Sequence, residues 1–277
     1  MVTITLDQSL IENLIRISKN AGEAIMGIYE SDFSINTITD QSPLTKADLL
    51  SNIIICQSLK EITPEIPILS EESCDIPYQE RMKWKQYWLV DPLDGTKEFI
   101  KKNGEFTVNI ALINKNRPVF GVIHSPVLNE TYWGSEDYGS FMQIKDQDPE
   151  SIRVSKNITE IIRVISSRSH KDNNEISFLN RIGNHTSLSI GSSLKFCYLA
   201  KGQVDIYPRF GKTSEWDIAA GDAILSYAGG RVIDKNNSIF SYNSKESLIN
   251  ESFFAFGDKG IGERFTNEFI DISNSPD

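Results

Sequence analysis

Cysteine and histidine are scarce in this chain of 277 residues, which carries three of each. Cys56, Cys74 and Cys197 are too few and too scattered for a disulfide framework or a cysteine-rich zinc site. We therefore expect a reducing, cytoplasmic compartment, because disulfides persist mainly in oxidising ones. The sequence predicts no transmembrane helix, since it has no apolar run near 20 residues, and its first residues do not form a signal peptide. Peripheral attachment to the inner face of the cell membrane stays open.

Basic residues are outnumbered by acidic ones. The chain has 28 Lys and Arg against 38 Asp and Glu, so its formal net charge is −10. Binding to a nucleic-acid polymer is disfavoured, because that affinity depends on cationic side chains that neutralise many phosphates. A small phosphorylated ligand is not excluded, since metal ions and a few local cations can reverse the field inside one pocket.

The most informative segment is WLVDPLDGTKEF, at residues 88–99. An apolar run leads directly into two aspartates, Asp91 and Asp94. Gly95 permits a sharp turn, and residues 96–100 can begin a helix. Carboxylate oxygens suit hard cations such as Mg²⁺, and the free amides of a helix start suit a phosphate. This segment therefore predicts part of a metal-dependent phosphatase site.

Other acids follow the same pattern of an apolar scaffold and then a carboxylate. Glu71 and Glu72 come after a short apolar run, and Asp217 opens a helix-like stretch. Asp48 stands in the segment TKAD, at the start of another helical pattern. Each acid also has an ordinary interpretation, which is a solvated loop for the glutamates, a helix cap for Asp217 and a first-turn helix residue for Asp48.

Convergence of these acids would require cations. One like-charge pair about 4 Å apart costs roughly 4 kcal/mol at an effective dielectric near 20, against a domain stability of about 5–15 kcal/mol. Either the carboxylates protonate or cations lie between them. Mg²⁺ fits the all-oxygen donor set, whereas the absence of His and Cys from these segments argues against zinc.

Three of these segments together resemble the inositol monophosphatase superfamily of Mg²⁺-dependent phosphatases. Its pattern is a Glu-Glu pair, then Asp-Pro-Ile/Leu-Asp-Gly-Thr, then Trp-Asp-x-x-x-Gly, and the chain carries these at residues 71–72, 91–96 and 216–221. Further segments resemble its branch of 3′(2′),5′-bisphosphate nucleotidases: NGEFTVNIAL, SRSH, GSSLKFC and VDIYPR, beginning at residues 103, 167, 191 and 204. The resemblance extends from about residue 8 to about residue 260.

The resemblance implies a fold and an activity. The fold is α/β (α+β), a layered αβαβα sandwich with an N-terminal antiparallel sheet with helices and a smaller C-terminal α/β half. The activity is removal of the 3′-phosphate from adenosine 3′,5′-bisphosphate with two or three Mg²⁺ ions, together with action on the sulfated analogue and a role in clearing by-products of sulfate assimilation.

The resemblance also assigns roles to residues. Glu71, Asp91 and the Leu93 carbonyl would hold a first ion, and Asp91, Asp94 and Asp217 a second. Thr96 would orient the attacking water, with Asp48 behind it and Glu72 as a supporting acid. The residues implied to contact substrate are Glu71, Leu93, Asp94, Gly95, Thr96, His170, Ser192, Lys195, Arg209 and Asp217.

The basic clamp for a second phosphate has ordinary alternatives. His170 could lie in a turn, Lys195 could extend from a helix into solvent, and Arg209 could form a surface ion pair. Two other functions also stay open. They are a phosphatase of the same fold acting on an inositol or sugar phosphate, and a metal- or nucleotide-binding module without catalysis. The sequence leaves both a monomer and a homodimer open.

Periodicity predicts the order of the elements. Helical spacing covers residues 7–29 and 45–61, and six strand patterns at 66–69, 87–90, 106–113, 118–124, 130–134 and 140–144 predict an antiparallel sheet. A polar stretch at 145–155 suggests a boundary between an N-terminal domain, 1–150, and a C-terminal domain, 151–277. Beyond it, strands at 163–166, 204–207, near 232 and at 253–256 alternate with helices at 175–182, 192–200 and 216–227.

Overall fold

The computed structural model describes residues 3–31, 43–156, 160–169 and 172–274. Within these ranges it contains eight α-helices and fourteen strands. The helices are α1 (Gln8–Tyr29), α2 (Pro43–Ile62), α3 (Tyr78–Arg81), α4 (Thr96–Ile100), α5 (Asn173–Ile182), α6 (Leu194–Ala200), α7 (Glu215–Tyr227) and α8 (Lys259–Ser273). None of these helices is long and apolar enough to cross a bilayer.

The strands form two large sheets and one short pair. The first seven strands are β1 (Ile68–Ser70), β2 (Gln86–Asp94), β3 (Thr107–Asn114), β4 (Arg117–Ser125), β5 (Glu130–Ser135), β6 (Gly139–Ile144) and β7 (Glu150–Ile152). The others are β8 (Ile162–Ser167), β9 (His185–Ile190), β10 (Ile206–Arg209), β11 (Thr213–Ser214), β12 (Arg231–Asp234), β13 (Ile249–Asn250) and β14 (Phe253–Phe256).

The first sheet takes β1 to β7 in chain order. The predicted antiparallel pairing is confirmed from β2 to β6, and β7, which was not predicted, extends it within the stretch expected to be a boundary. It is wrong at the edge, where β1 runs parallel to β2. The connection between these two strands carries α3 and returns the chain to the same end of the sheet, as a parallel pair requires.

The second sheet has the order β12-β14-β10-β8-β9. β8 runs parallel to β9 and β10, and β14 runs antiparallel to β10 and β12. The predicted alternation of strand and helix in this half is confirmed, but α8 was not predicted. Its apolar residues Ile261, Phe265 and Phe269 recur every four positions and pack in the outer core of this sheet.

Helices cover both sheets and fill the space between them. α1 and α2 pack on one face of the first sheet, α7 packs on its other face, and α8 packs on the second sheet beside α5. The layered sandwich is therefore confirmed. The central core joins residues from both halves of the chain, and residue 150 lies inside β7, which pairs with β6. The division into two domains stays a prediction.

α1 lies very close to the first sheet at Gly22. A Cβ atom there would be 2.5 Å from Cδ2 of His124 and 3.1 Å from Cγ of Pro126. The His124 ring is buried and is held by a 2.9 Å hydrogen bond between its Nδ1 and Oγ1 of Thr131. The ring therefore has little freedom to move away from an added methyl group.

We predict opposite effects of alanine at two glycines of α1. Gly22→Ala should lower the free energy of unfolding by about 1–3 kcal/mol, because it overpacks the contact with His124. Gly27→Ala is the matched control, since a Cβ at this exposed position would meet nothing within 4 Å. It should stabilise the helix by up to about 1 kcal/mol. Thermal unfolding measures both, and a higher Tm for Gly22→Ala would contradict the close approach.

Candidate active site

Parallel pairing at the sheet edge brings the first two acids together. Ser70 of β1 pairs with Val90 of β2. Glu71 follows Ser70 directly, and Asp91 follows Val90. Because neighbouring parallel strands carry equivalent residues to the same edge, these two carboxylates lie side by side at the ends of β1 and β2.

A bulge in β2 separates the two aspartates of the central motif. Asp91 pairs with Asn109 and Asp94 with Thr107, so β2 contains one more residue than β3 over this stretch. Pro92 lies within the bulge, where a missing amide donor is tolerated. Ser51 of α2 donates to the Pro92 carbonyl at 2.8 Å, which fixes the bulge against the helix layer.

Gly95 turns the chain from β2 into α4. Its φ is +95°, and an added Cβ would lie 3.0 Å from the carbonyl oxygen of Glu105. A side chain here would be strained both by the backbone and by that contact. The predicted turn and helix start are confirmed, and Thr96 begins α4 with an exposed side chain.

α7 brings Asp217 to the same place from the other half of the chain. Asp217 forms a capping box with Ser214, whose backbone N–H donates to Asp217 Oδ2 at 2.8 Å. The cap interpretation is therefore correct for one oxygen. Trp216 is buried in the central core beside it, where the ring packs next to the acid.

Asp48 of α2 is buried, with 8% of its surface exposed. It is hydrogen-bonded to Glu72, which is itself exposed. Asp48 Oδ1 has no hydrogen-bond partner among the described residues. A buried carboxylate oxygen without a donor is unusual and points to a group outside the protein.

The acids shift each other's protonation. Burial raises the pKa of Asp91 well above its usual range, and the nearby charges of Asp94, Glu71, Asp217 and Asp48 raise it further. Burial and the charge of Asp94 raise the pKa of Glu71 to about 6 and that of Asp217 to about 7. Burial, with Glu72 and Glu71 nearby, raises the pKa of Asp48 to about 8. The predicted acids therefore share one electrostatic site.

This donor set fits a hard divalent cation. No three Asp, Glu, His or Cys side chains of the described ranges are already grouped to hold one ion. Mg²⁺ does not require three, because one or two carboxylates with waters and substrate oxygens complete its shell. A cation among these acids would remove the repulsion that raises their pKa values. It would also place a positive charge near the unpartnered Asp48 Oδ1.

A pocket of about 240 Å³ opens between the two halves of the chain. Predicted residues from both halves line it, which are Asp94, Gly95, Thr96, Ser192, Lys195, Arg209 and Asp217. Asp48, Glu71, Glu72, Asp91 and Leu93 are not among its lining residues. Leu93 is buried and its N–H donates to Asp91 Oδ1 at 3.1 Å. His170 lies outside the described residues.

Both predicted cations of the clamp are buried in this pocket. Lys195 is 5% exposed and Arg209 is 8% exposed, so the surface interpretations of these residues are wrong. Burial, against the opposing attraction of Asp94 and with the repulsion of Arg209, lowers the pKa of Lys195 to about 8. Arg209 Nε has no hydrogen-bond partner within the described ranges. Two buried cations that are only partly compensated favour an anionic ligand.

Several pocket residues were not predicted. Ser193 donates its backbone N–H to Asp94 Oδ2 at 2.5 Å and its hydroxyl to Asn109 Oδ1 at 2.7 Å. Thr107 shares a 2.8 Å hydrogen bond with the same hydroxyl. The polar residues Thr107 and Asn109 within an apolar strand were the available signal. Lys212, which also lines the pocket, gave none.

A layered α/β sandwich whose cleft joins clustered carboxylates to buried cations is the architecture of a phosphate-ester hydrolase. The chain belongs to the inositol monophosphatase family, whose model matches residues 6–267. The enzyme is a phosphatase, and metal dependence is general in this family.

Relatives and solved structures resemble the chain over most of its length. The 3′(2′),5′-bisphosphate nucleotidase CysQ of Salmonella typhimurium is 43% identical over 255 residues, which cover 88% of this chain and 98% of that protein. The protein of the same name from Haemophilus influenzae is 34% identical over 267 residues, covering 96% and 99%. The crystal structure of CysQ from Bacteroides thetaiotaomicron superimposes with a TM-score of 0.83 at 39% identity, covering 90% of this chain and 97% of that one.

The repulsion among the acids gives a prediction for the metal-free protein. With EDTA at pH 8, Glu71→Gln should raise the Tm, because it removes a charge that faces Asp94 and Glu72. A carboxylate whose folded pKa is raised destabilises the fold as the pH rises through that pKa. The gain should therefore fade at pH 5, below the folded value of about 6.

The exposed Glu65→Gln is the matched control and should change the Tm little at either pH. Saturating Mg²⁺ should reverse the order of wild type and Glu71→Gln at pH 8, because only the intact acid binds the cation fully. A Glu71→Gln protein that is less stable than wild type in EDTA would contradict the repulsion between Glu71 and the neighbouring acids.

Proposed function

We propose that this phosphatase removes the 3′-phosphate from adenosine 3′,5′-bisphosphate, giving AMP and phosphate, and acts on the sulfated analogue in the same way. One observation carries the proposal. A single pocket joins Asp94, Thr96 and Asp217 to the buried cations Lys195 and Arg209. The relatives named 3′(2′),5′-bisphosphate nucleotidase support the choice of substrate.

The acids would hold the metal, which we propose to be two or three Mg²⁺ ions. The proposed ligands are Glu71, Asp91, Asp94, Asp217 and the Leu93 carbonyl. When bound, Mg²⁺ neutralises charge on the transferring phosphate and lowers the pKa of water. The raised pKa values of four of these acids support the assignment, since such a field demands a cation or protons.

The chain's own residues would place the water and the scissile phosphate. We assign the Thr96 hydroxyl and Asp48 to orient the attacking water, with Glu72 bonded to Asp48 as its support. The amides of Gly95 and Thr96 would donate to the 3′-phosphate. Water would attack phosphorus in line while the bond to the 3′-oxygen breaks, so that the hydroxyl of the water ends on phosphorus and its proton ends on the 3′-oxygen. No covalent phosphoenzyme is expected, because the motif at residues 91–96 supplies a residue that orients water rather than a nucleophile flanked by a base.

Lys195 and Arg209 would bind the 5′-phosphate that is not cleaved. The guanidinium of Arg209 can donate two parallel hydrogen bonds to one phosphate, and its Nε is unpartnered within the described ranges. Lys195 adds a compact charge, and Ser192 a hydroxyl. A role for His170 in this clamp, a cytoplasmic or peripheral location and the choice between monomer and homodimer all stay predictions.

Loss of one proposed metal ligand should slow turnover strongly. Asp94→Asn should lower kcat on the order of 100-fold or more, because it weakens the charge stabilisation of the transition state. Phosphate release from adenosine 3′,5′-bisphosphate, with and without Mg²⁺, measures this. Asp222→Asn is the matched control, since this buried acid of α7 bonds Tyr242 outside the pocket and should keep kcat. Unchanged release by Asp94→Asn would refute the proposed site.

Loss of the cations should affect one substrate more than another. Lys195→Ala and Arg209→Ala should each raise KM for adenosine 3′,5′-bisphosphate about tenfold or more. Adenosine 3′-monophosphate keeps the scissile phosphate and lacks the second one, so its KM should change less than about twofold. Equal losses on both would favour an inositol or sugar phosphatase, which a panel with inositol phosphate and fructose bisphosphate would identify. An inert wild type would favour the binding module.

A further inference from the structure

The turn between β9 and α6 carries an unusual residue at the pocket. Ser192 has a φ of +51°, in the left-handed region that few residues other than glycine adopt. It lines the pocket beside Lys195. A backbone in this region costs free energy and persists only where its surroundings enforce it, often at functional sites. The contacts on either side of Ser192 should therefore show what enforces it.

After Ser192, the turn is fixed to β2 and β3 of the first sheet. Ser193 donates to Asp94 through its backbone and to Asn109 through its hydroxyl, as described above. Thr107 bonds the same hydroxyl. These contacts tie Ser193 to β2 and β3 and do not depend on the rest of the turn.

Before Ser192, Ile190 is paired within the sheet as the last residue of β9, and Gly191 is held by the carboxylate of Glu105. Its Oε2 accepts the Gly191 N–H at 2.7 Å. The same carboxylate forms a bidentate ion pair with Arg168, with both hydrogen bonds at 2.6 Å. Arg168 in turn donates to the Ser189 carbonyl at 2.7 Å. Charge-assisted, two-pronged contacts of this kind fix direction as well as distance.

The turn holds the ammonium group of Lys195. Lys195 Nζ donates to the Ile190 carbonyl at 3.3 Å and to the Ser192 carbonyl at closer range. These two carbonyls flank Gly191, the residue that Glu105 anchors. A shift of Gly191 would therefore move the Ser192 carbonyl, which is the closer acceptor of Lys195, while Ser193 would keep Asp94 in place. The Ile190 carbonyl belongs to β9 and also accepts the Arg168 N–H at 3.3 Å.

We propose that the Glu105–Arg168 ion pair positions Lys195 to bind the second phosphate. The ion pair would thereby make the enzyme prefer a bisphosphate over a monophosphate as substrate. This inference rests on the proposed function. Neither side chain lines the pocket, so both act through the turn and Lys195. Neither residue was among the predicted site residues.

A purely structural role is distinguishable, because the chain offers a matched ion pair. Arg163 lies at the start of β8 and Arg168 follows its end. Arg163 forms a similar two-pronged contact with Asp205, at 3.1 and 2.5 Å, and neither of these residues lines the pocket. The Asp205 side chain is 2% exposed, against 17% for Glu105, so the control pair is the more buried of the two.

The experiment compares steady-state kinetics on adenosine 3′,5′-bisphosphate and adenosine 3′-monophosphate with Mg²⁺. Arg168→Ala and Glu105→Ala should each raise KM for the bisphosphate about tenfold, with kcat and the monophosphate KM changed less than about twofold. Arg168→Lys keeps the charge but not the fork and should restore only part of the affinity. The double variant should equal the stronger single variant, because the two residues act as one unit.

Arg163→Ala should lower the Tm without changing the KM for the bisphosphate more than the KM for the monophosphate. The inference is overturned if Arg168→Ala raises both KM values alike or neither, or if Arg163→Ala gives the same split. A wild type that cleaves the monophosphate but not the bisphosphate would overturn the proposed function and this inference together. A wild type active on both, with no split in the variants, would overturn this inference alone.

Discussion

Repulsion between carboxylates at the ends of β1 and β2 is the constraint on which the rest of the site depends. Parallel pairing places Glu71 beside Asp91, and the bulge and α7 add Asp94 and Asp217 to the same field. Such a cluster opposes folding, as the raised pKa values record. The surrounding sandwich must supply the stability that these acids remove, and a cation bound among them would reverse the sign of their contribution.

The fold orients these acids through neutral backbone donors. One oxygen of each aspartate accepts a backbone N–H: Asp91 from Leu93, Asp94 from Ser193 and Asp217 from Ser214. An amide donor fixes the direction of a carboxylate but leaves its charge in place, whereas a lysine or arginine partner would compete with a metal ion. The three donors belong to a bulge, a turn and a helix cap. The acids therefore stay available to a metal while their positions are set.

Local patterns predicted the parts of the molecule that neighbouring residues determine. The apolar run before Asp91, the turn at Gly95 and the helix of Asp217 all follow from residues a few positions away. The parallel edge strand and the anchors of the Ser192 turn depend on contacts between distant segments, such as Glu105 with Gly191. Glu105 reads from sequence as one more solvated acid, because nothing near it indicates which amide it will accept. The α8 pattern was present in Ile261, Phe265 and Phe269 and should have been predicted.

The two kinds of charge in the pocket depend on each other. Lys195 and Arg209 are buried, and attraction to Asp94 opposes the effect of burial on Lys195. If a cation neutralised Asp94, Lys195 would lose much of that attraction, and a phosphate would be the anion that could replace it. Metal and substrate should therefore favour each other's binding through Asp94 and Lys195, since each removes an uncompensated charge that the other leaves. The turn that holds Lys195 is also fixed to Asp94 through Ser193, so one backbone segment contacts both partners.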